Sequence, residues 1–508
     1  MSHATGVNFP DVIRQNGLYK VGILLLVALC LHLIGRSIYS AFFGPLSKFP
    51  GPKLRAITQL PRCWMILTGR DALDTVALHK KYGNAVRLGP ATLSFVGTPE
   101  HWRDIYGFKG NGQLENPKDP QFFENPKNGQ ANLIYTSQAD HQRQRRVISH
   151  AFADKSLRQQ EQLLKSWADK LRTFLRQKIE AGETIDMVRA YNYTTFDVMA
   201  DLTFAEPLYM LDKSEYVPWV ETIFKAIRIS TRIRAIKSLG KSIGAFINIL
   251  FMRIPSINKR RLEHWGYTAK RVDKRLAQTP VRPDLWTRIL ESGGDPHAPE
   301  SSFPIGEHHA IAAIFMIGGT ETTATSLSGT TYYLLRNPEW MEKLKTELRG
   351  RFKSLEDIQF DQLTKLPILT ACLKEGLRMY PPVPIGFPRA ASSNCMIQDR
   401  FVPEGTSICV SQLATYRSES LFKHADEFRP ERWLGDPEFA GDVLTALEPF
   451  SVGPRNCVGK NLAWHELRLL LTTVLVHFDL ELCPESKDWN NQKVDISLHD
   501  PDFDDEDG

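Results

Sequence analysis

Hydrophobic and polar positions divide this chain into stretches of different period. Residues 21–35 carry no formal charge and are rich in leucine. Continued back through residues 17–19, with Lys20 snorkelling, they make about the length of helix that crosses a bilayer. This predicts a single N-terminal transmembrane helix within an anchor and hinge spanning residues 1–44. No small-x-small cleavage site marks a removable signal, and the Pro/Gly-rich residues 44–52 read as a stiff hinge. Residues 85–88 and 92–96 are short β-prone runs joined through Gly89-Pro90, which predicts a hairpin. Beyond them a helical period dominates, so the fold class expected is mainly α with a small β region. In residues 224–241, Phe224, Ile227, Ile233 and Ile236 alternate with Lys225, Arg228, Arg232, Arg234 and Lys237. That helix either packs its apolar face on the core or lies on a bilayer. Residues 310–335 form a long helical stretch interrupted at Gly318-Gly319, and residues 462–478 an apolar run with the length of a buried helix. The folded domain is expected over residues 45–490, followed by an atypical acidic tail over 491–508.

Composition narrows the class. At 508 residues, 42% apolar and 24% charged, the chain has enough hydrophobic surface to bury a large core. The net charge of +5 is unevenly spread, because Asp500, Asp502, Asp504, Asp505, Glu506 and Asp507 crowd the tail. No nucleic-acid partner is expected. Arg36, Lys48, Lys53 and Arg55 follow the apolar span while only Arg14 and Lys20 precede it, which places the following domain in the cytosol. The sequon at Asn192-Tyr193-Thr194 then escapes glycosylation. Seven cysteines include no Cys-x-x-Cys pair, as in a reducing compartment. His465-Glu466 is not a zinc-protease motif, since Leu469 stands where the second histidine is needed. No dinucleotide-binding glycine pattern, no serine-hydrolase elbow and no internal repeat occurs.

The chemistry concentrates on Cys457. It lies just before the apolar run at 462–478, near a helix N-terminus whose amides favour a thiolate, the form that ligates metal. Gly453 and Gly459 let the backbone approach a flat macrocycle, and Arg455 is placed to pair with a carboxylate on its rim. Earlier in the chain, two adjacent glycines inside a helix cost about 1 kcal/mol each relative to alanine. Gly318-Gly319 therefore marks either space for a small ligand or close packing on a neighbouring helix.

Phe450, Gly453, Arg455, Cys457 and Gly459 together resemble the haem-binding loop of the cytochrome P450 family, and three further motifs match in order. The resemblance implies one large, mainly helical domain holding haem b through the Cys457 thiolate. Phe450, Arg455, Arg389, Arg145 and His141 are then cofactor-binding residues, with His141 standing where the family usually has tryptophan. Glu321 and Thr322 correspond to the acid and alcohol that supply protons to dioxygen on the distal side. Glu375, Arg378 and Arg432 correspond to a buried structural network, and residues 384–389 to an extended strand. Ile385, Phe387, Phe315 and Gly318 correspond to substrate contacts, and residues 224–241 to substrate-entrance helices that dip toward the bilayer, which favours the membrane-facing reading of that stretch. Electrons are implied to come from NADPH through a separate cytochrome P450 reductase, with cytochrome b5 as a further partner, at the endoplasmic reticulum membrane. The likeness is to members that tailor fungal terpenoid, polyketide or alkaloid metabolites, so the expected activity is insertion of one oxygen atom into an apolar small molecule. A haem-thiolate isomerase or dehydratase that needs no dioxygen, and a non-catalytic haem-binding protein, are the alternatives. The chain departs from the family after Leu480-Glu481-Leu482, where further strands and a last substrate-contact turn are expected.

Overall fold

The computed structural model describes residues 9–490 apart from 111–114, 124–128, 131, 241–254, 279–281, 298–302 and 394. Helix α1 (Phe9–Phe42) includes Lys20–Phe42, a stretch long and apolar enough to cross a membrane. Leu24, Leu25 and Leu31 on it are 67, 67 and 64% exposed, an arrangement suited to lipid rather than water. Residues 44–52, the stretch expected to be a stiff hinge, carry apolar side chains that pack on the domain. Leu46 and Phe49 are buried, and the Phe49 ring stands edge-on to Phe95 at 6.3 Å, so the segment is seated on the sheet by its own apolar side chains.

That sheet begins with the expected hairpin, β1 (Ala85–Gly89) antiparallel to β2 (Thr92–Phe95). Its strand order is β1-β2-β6-β3, with β3 at Arg389–Ala390 and β6 at Ser407–Val410; β4 (Cys395–Ile397) and β5 (Arg400–Val402) form a separate pair. The strand expected over 384–389 shrinks to β3, because Pro384 and Pro388 have no N–H to donate to a ladder. Gly386 donates to the Val410 carbonyl at 3.0 Å, and a Cβ there would lie 2.0 Å from that oxygen.

The main core is helix on helix. In chain order the elements that position the site are α2 (Leu60–Leu67), α3 (Gln138–Ile148), α4 (Met187–Phe204), α5 (Pro218–Lys237), α6 (Ile305–Gly318), α7 (Glu321–Arg336), α8 (Pro367–Met379) and α9 (Lys460–His477). Helix α7 packs against α4, α8 and α9. Helix α4 is buried continuously from Ala190 to Phe204, so its polar groups must be satisfied internally. Thr194 donates to the Ala190 carbonyl at 2.7 Å, and Asp197 accepts from the amides of Leu208 and Leu211 at 2.9 and 3.0 Å. Asn192 of the sequon is itself buried here, which bars a glycan on the folded chain.

The amphipathic stretch at 224–241 belongs to α5, which starts earlier, at Pro218, a residue suited to a first helical turn. It buries Trp219, Val220, Ile223, Phe224 and Ala235 and leaves Lys225 and Arg232 exposed, so its apolar face is packed on the core; Lys241 lies outside the described residues. After α9 no strand occurs among the described residues. The chain instead places Trp489 against Tyr332 and Tyr380, with ring centroids at 5.3 and 5.1 Å, while the Tyr332 hydroxyl donates to the Lys487 carbonyl at 2.8 Å. Tyr332 is ten residues beyond Thr322, or about 15 Å along α7. The expected return toward the distal site is therefore absent among the described residues, and the acidic tail lies outside them.

Candidate active site

The cysteine loop is built by its own backbone. Cys457 N–H donates to the Phe450 carbonyl at 2.9 Å, closing the loop, and Gly453 adopts φ 77° where a Cβ would fall 2.0 Å from the Tyr106 carbonyl oxygen. Only glycine fits that approach. Helix α9 starts at Lys460, three residues after the cysteine, as the sequence implies. The Cys457 side chain is exposed, yet burial among protein atoms raises its thiol pKa, with the Gly459 amide, Arg145 and Lys460 opposing that shift. The helix terminus alone does not make Cys457 a thiolate; a bound metal ion would, by displacing the proton. Phe450 packs against Trp464 at 6.0 Å, beneath the loop.

Four cationic side chains and a histidine converge beside this loop. Arg389 is buried, its Nε and Nη1 have no hydrogen-bond partner, and burial pushes its pKa down to about 10. Lys118, which the sequence reading did not identify, donates to the Leu133 carbonyl at 3.0 Å and to that of Ile134. Burial, with Arg455 and Arg389 adding repulsion, pushes its pKa down to about 6. His141 is buried on α3 and pushed down to about 3 by burial and then by Arg455, Lys118, Arg145 and Arg389, so its imidazole is neutral. Arg455 is already committed, donating from Nε and Nη2 to Glu115 at 2.9 and 2.8 Å and from Nη1 to the Thr136 carbonyl at 3.3 Å. Arg145 is committed too: it donates to the Asn456 carbonyl at 2.7 Å and to its side-chain oxygen at 2.8 Å, bracing the cysteine loop from α3.

The helix break separates α6 from α7 at Gly319 and Thr320. A Cβ on Gly318 would meet nothing within 4 Å, whereas one on Gly319 would lie 2.7 Å from the Met199 sulfur of α4. One glycine opens onto space and the other admits a neighbouring helix, so both reasons for the pair apply, at different positions. Thr322 donates to the Gly318 carbonyl at 2.8 Å, which leaves its oxygen oriented as an acceptor. Glu321, one residue before, is buried.

Glu375, Arg378 and Arg432 form the expected network at zero side-chain exposure, extended by Trp433 Nε1 donating to Glu375 at 2.9 Å and by Asp442 on Arg432. Ile385 is half-buried and Phe387 43% exposed, edge-on to Phe122 at 6.2 Å. Phe315 is corrected to a core position: its ring is buried between Phe152 at 5.1 Å and Trp286 at 5.9 Å. Besides Lys118 and Glu115, sequence reasoning missed Glu466. It is buried on α9, and burial pushes its pKa up to about 8 against the opposing effect of the Thr323 hydroxyl.

These residues fit a flat, metal-bearing macrocycle with acidic side arms. They offer a sulfur donor open to space, a glycine cradle beside it, and a buried arginine with two unpartnered nitrogens. Comparison with known proteins agrees. A family model described as Cytochrome P450 matches residues 57–504. Cytochrome P450 monooxygenase efuB of Hormonema carpetanum is 44% identical over 493 residues, 96% of this chain and 96% of that protein. Cytochrome P450 monooxygenase FUM2 of Gibberella moniliformis is 39% identical over 464 residues, covering 89% and 95%. Cytochrome P450 monooxygenase astA of Talaromyces wortmannii is 40% identical over 460 residues, covering 90% and 91%.

Proposed function

Because this chain belongs to the cytochrome P450 family, we propose that Cys457 is the axial thiolate of a haem b, and that Glu321 and Thr322 manage protons on its distal side. The protein is a haem monooxygenase of fungal secondary metabolism, an oxidoreductase that incorporates oxygen from dioxygen into a small molecule. The observation that carries the site assignment is the Cys457 sulfur, presented in a glycine loop three residues before α9, with the buried Arg389 leaving Nε and Nη1 unpartnered.

When bound, the haem supplies dioxygen binding and stepwise reduction at a thiolate-ligated iron, and thiolate donation favours cleavage of the O–O bond. Arg389 would hold one of its carboxylates, with Lys118 charged in place once that negative group arrives. Phe450 supports the loop from below, Arg145 fixes Asn456 and thereby the cysteine, and neutral His141 offers a ring N–H without a second charge. On the distal side, Thr322 gives its own proton to the Gly318 carbonyl and so accepts, while buried Glu321 is the carboxyl group that moves protons inward. Ile385, Phe387 and the bare Cα of Gly318 border the apolar substrate, for which fungal terpenoids, polyketides and alkaloids are the class. Electrons come from NADPH through cytochrome P450 reductase, with cytochrome b5 as an accessory donor. Helix α1 anchors the protein in the endoplasmic reticulum membrane, with residues 45–490 as the catalytic domain on the cytosolic side.

The test is a reconstitution with reductase, NADPH and candidate metabolites under ¹⁸O₂. One labelled oxygen in the product and a strict NADPH requirement are expected. Turnover without dioxygen identifies an isomerase or dehydratase instead.

A further inference from the structure

Side-chain hydroxyls hold the break between α6 and α7. That of Thr320 donates to the Met316 carbonyl at 2.7 Å, that of Thr322 to Gly318 at 2.8 Å and that of Thr323 to Gly319 at 3.4 Å. Each acceptor lies four residues back, where a helical amide would donate, and hydroxyls in that role bend a helix. The angle of such a bend depends on what packs behind it. Two contacts with α4 supply that backing. Tyr191 and Thr331 share a hydrogen bond at 3.0 Å, and further along the same antiparallel crossing Met199 lies against Gly319. A Cβ on Gly319 would fall 2.7 Å from the Met199 sulfur and 3.0 Å from both its Cγ and Cε, so the outer half of the thioether fills the place of a side chain. Met199 is 1% exposed, and α4 is buried on both sides of it in sequence, so the thioether cannot swing out to solvent. Being unbranched, it follows the irregular backbone of the break where a branched side chain would not.

Resting on the reading of Glu321 and Thr322 as the proton-managing pair, we propose that Met199 is a positioning residue: by backing Gly319 it sets the angle of the α6–α7 break and with it the place of the Thr322 oxygen. Glu321 and Thr322 follow Gly319 by two and three residues, so a shift of that backbone moves both. Shortening Met199 lets the break relax toward α4, and a Cβ on Gly319 pushes it away. Either displacement slows proton delivery while NADPH and dioxygen are still consumed, so hydrogen peroxide replaces part of the product. The two changes offset each other when combined, because the added Cβ takes up space that the thioether vacates.

Four variants of the full chain, loaded with haem and reconstituted with reductase and NADPH, test this: Met199→Ala, Gly319→Ala, the two combined, and Met199→Leu. The readouts are haem content with the carbon-monoxide difference band, hydrogen peroxide per NADPH, and product per NADPH from a metabolite that the wild type converts. Met199→Ala and Gly319→Ala are each expected to keep the haem and its thiolate band while product per NADPH falls roughly threefold to fivefold, less than a missing Thr322 hydroxyl would cost. The combined variant should recover to within about twofold of wild type, a non-additivity that two unrelated packing defects would not show. Met199→Leu keeps most of the bulk and should also stay within about twofold. Where Met199→Ala does not accumulate, Gly319→Ala and the combined variant carry the comparison. Wild-type coupling in either single variant, a combined variant no better than the worse single one, or haem lost in step with product overturns the proposal. Unchanged coupling in Thr322→Ala overturns the reading of the proton-managing pair instead.

Discussion

Arg378 donates to both oxygens of Glu375, at 2.7 and 2.9 Å, and neither side chain is exposed to solvent. The same guanidinium also donates to the carbonyls of Tyr416, Ala425 and Glu427, each at 2.6 Å, so one planar fork ties α8 to the segments that lead to the cysteine loop. Removing one member of a buried ionic network costs about 3–5 kcal/mol because the others are left charged and unpaired. Arg378→Lys should therefore fail much as Arg378→Ala does, since an ammonium cannot reproduce the fork. Soluble yield and haem content of the two variants check this; wild-type yield in Arg378→Lys would show that charge alone suffices.

Cys457→Ser should give a protein without the red-shifted carbon-monoxide difference band of thiolate-ligated haem, because a neutral hydroxyl is a far poorer iron donor. Folding is expected to survive, since the backbone bond from Cys457 to Phe450 does not involve the side chain. Near-wild-type far-ultraviolet circular dichroism with the band lost is the expected pair of results. Retention of the band would remove Cys457 as the ligand.

Thr322→Ala leaves the cysteine loop and the basic cluster intact, so haem spectrum and substrate binding should be preserved. It removes the acceptor oxygen oriented by the Gly318 carbonyl. NADPH and dioxygen should still be consumed, with hydrogen peroxide replacing product. A proton-managing group contributes about 10²–10⁴-fold, so product per NADPH should fall roughly tenfold or more even where water partly substitutes. Thr322→Ser keeps the hydroxyl and should recover most of the coupling. Unchanged coupling in the alanine variant would reduce Thr322 to a packing residue.

Glu466 is the clearest source of a pH-dependent stability. Burial raises its pKa from 4.5 to about 8, so between those values the folded protein keeps a proton that the unfolded chain releases. Rising pH then favours unfolding, by up to about 1.4 kcal/mol per unit for this one group, until Glu466 ionises in the folded state as well. Glu466→Gln removes the linkage while keeping a neutral group of the same shape. The melting temperature of the variant relative to wild type should climb steadily from about pH 5 to about pH 8. A gap that does not vary with pH would mean that Glu466 is charged and paired in solution.

Deleting residues 1–44 should release most of the protein from membranes, because Lys20–Phe42 is the candidate span found among the described residues. Leu54, Leu60 and Trp64, at 61, 60 and 65% exposure, leave a fraction bound that carbonate strips. Carbonate-resistant association of the truncated form would place the anchor elsewhere.

Three features are legible in the order of residues alone because each is a local pattern of residue types. The cysteine loop needs glycine at a few spacings, the paired glycines 318 and 319 cannot sit comfortably inside a helix, and Glu375 with Arg378 share one helix face. The hairpin and the helical period follow in the same way. What stays hidden depends on segments far apart in the chain. Arg145 and Asn456 are 311 positions apart, Arg455 and Glu115 340, and no spacing rule links them. Phe315 shows the same limit in reverse: its helix position is compatible with a pocket or a core, and only the arrival of Phe152 and Trp286 makes it core.

The sequence by itself determined the family, the candidate metal ligand Cys457, the helix break and the apolar stretch long enough to cross a membrane, since side-chain chemistry and backbone preference act over a few residues. Tertiary structure decided which charges are spent and which remain open. Arg455, Arg389 and Lys118 are equivalent cations in a sequence, but burial removes water from all three and leaves each dependent on whichever acceptor the fold brings within about 3 Å. Glu115 reached Arg455, two carbonyls reached Lys118, and no acceptor reached Nε and Nη1 of Arg389.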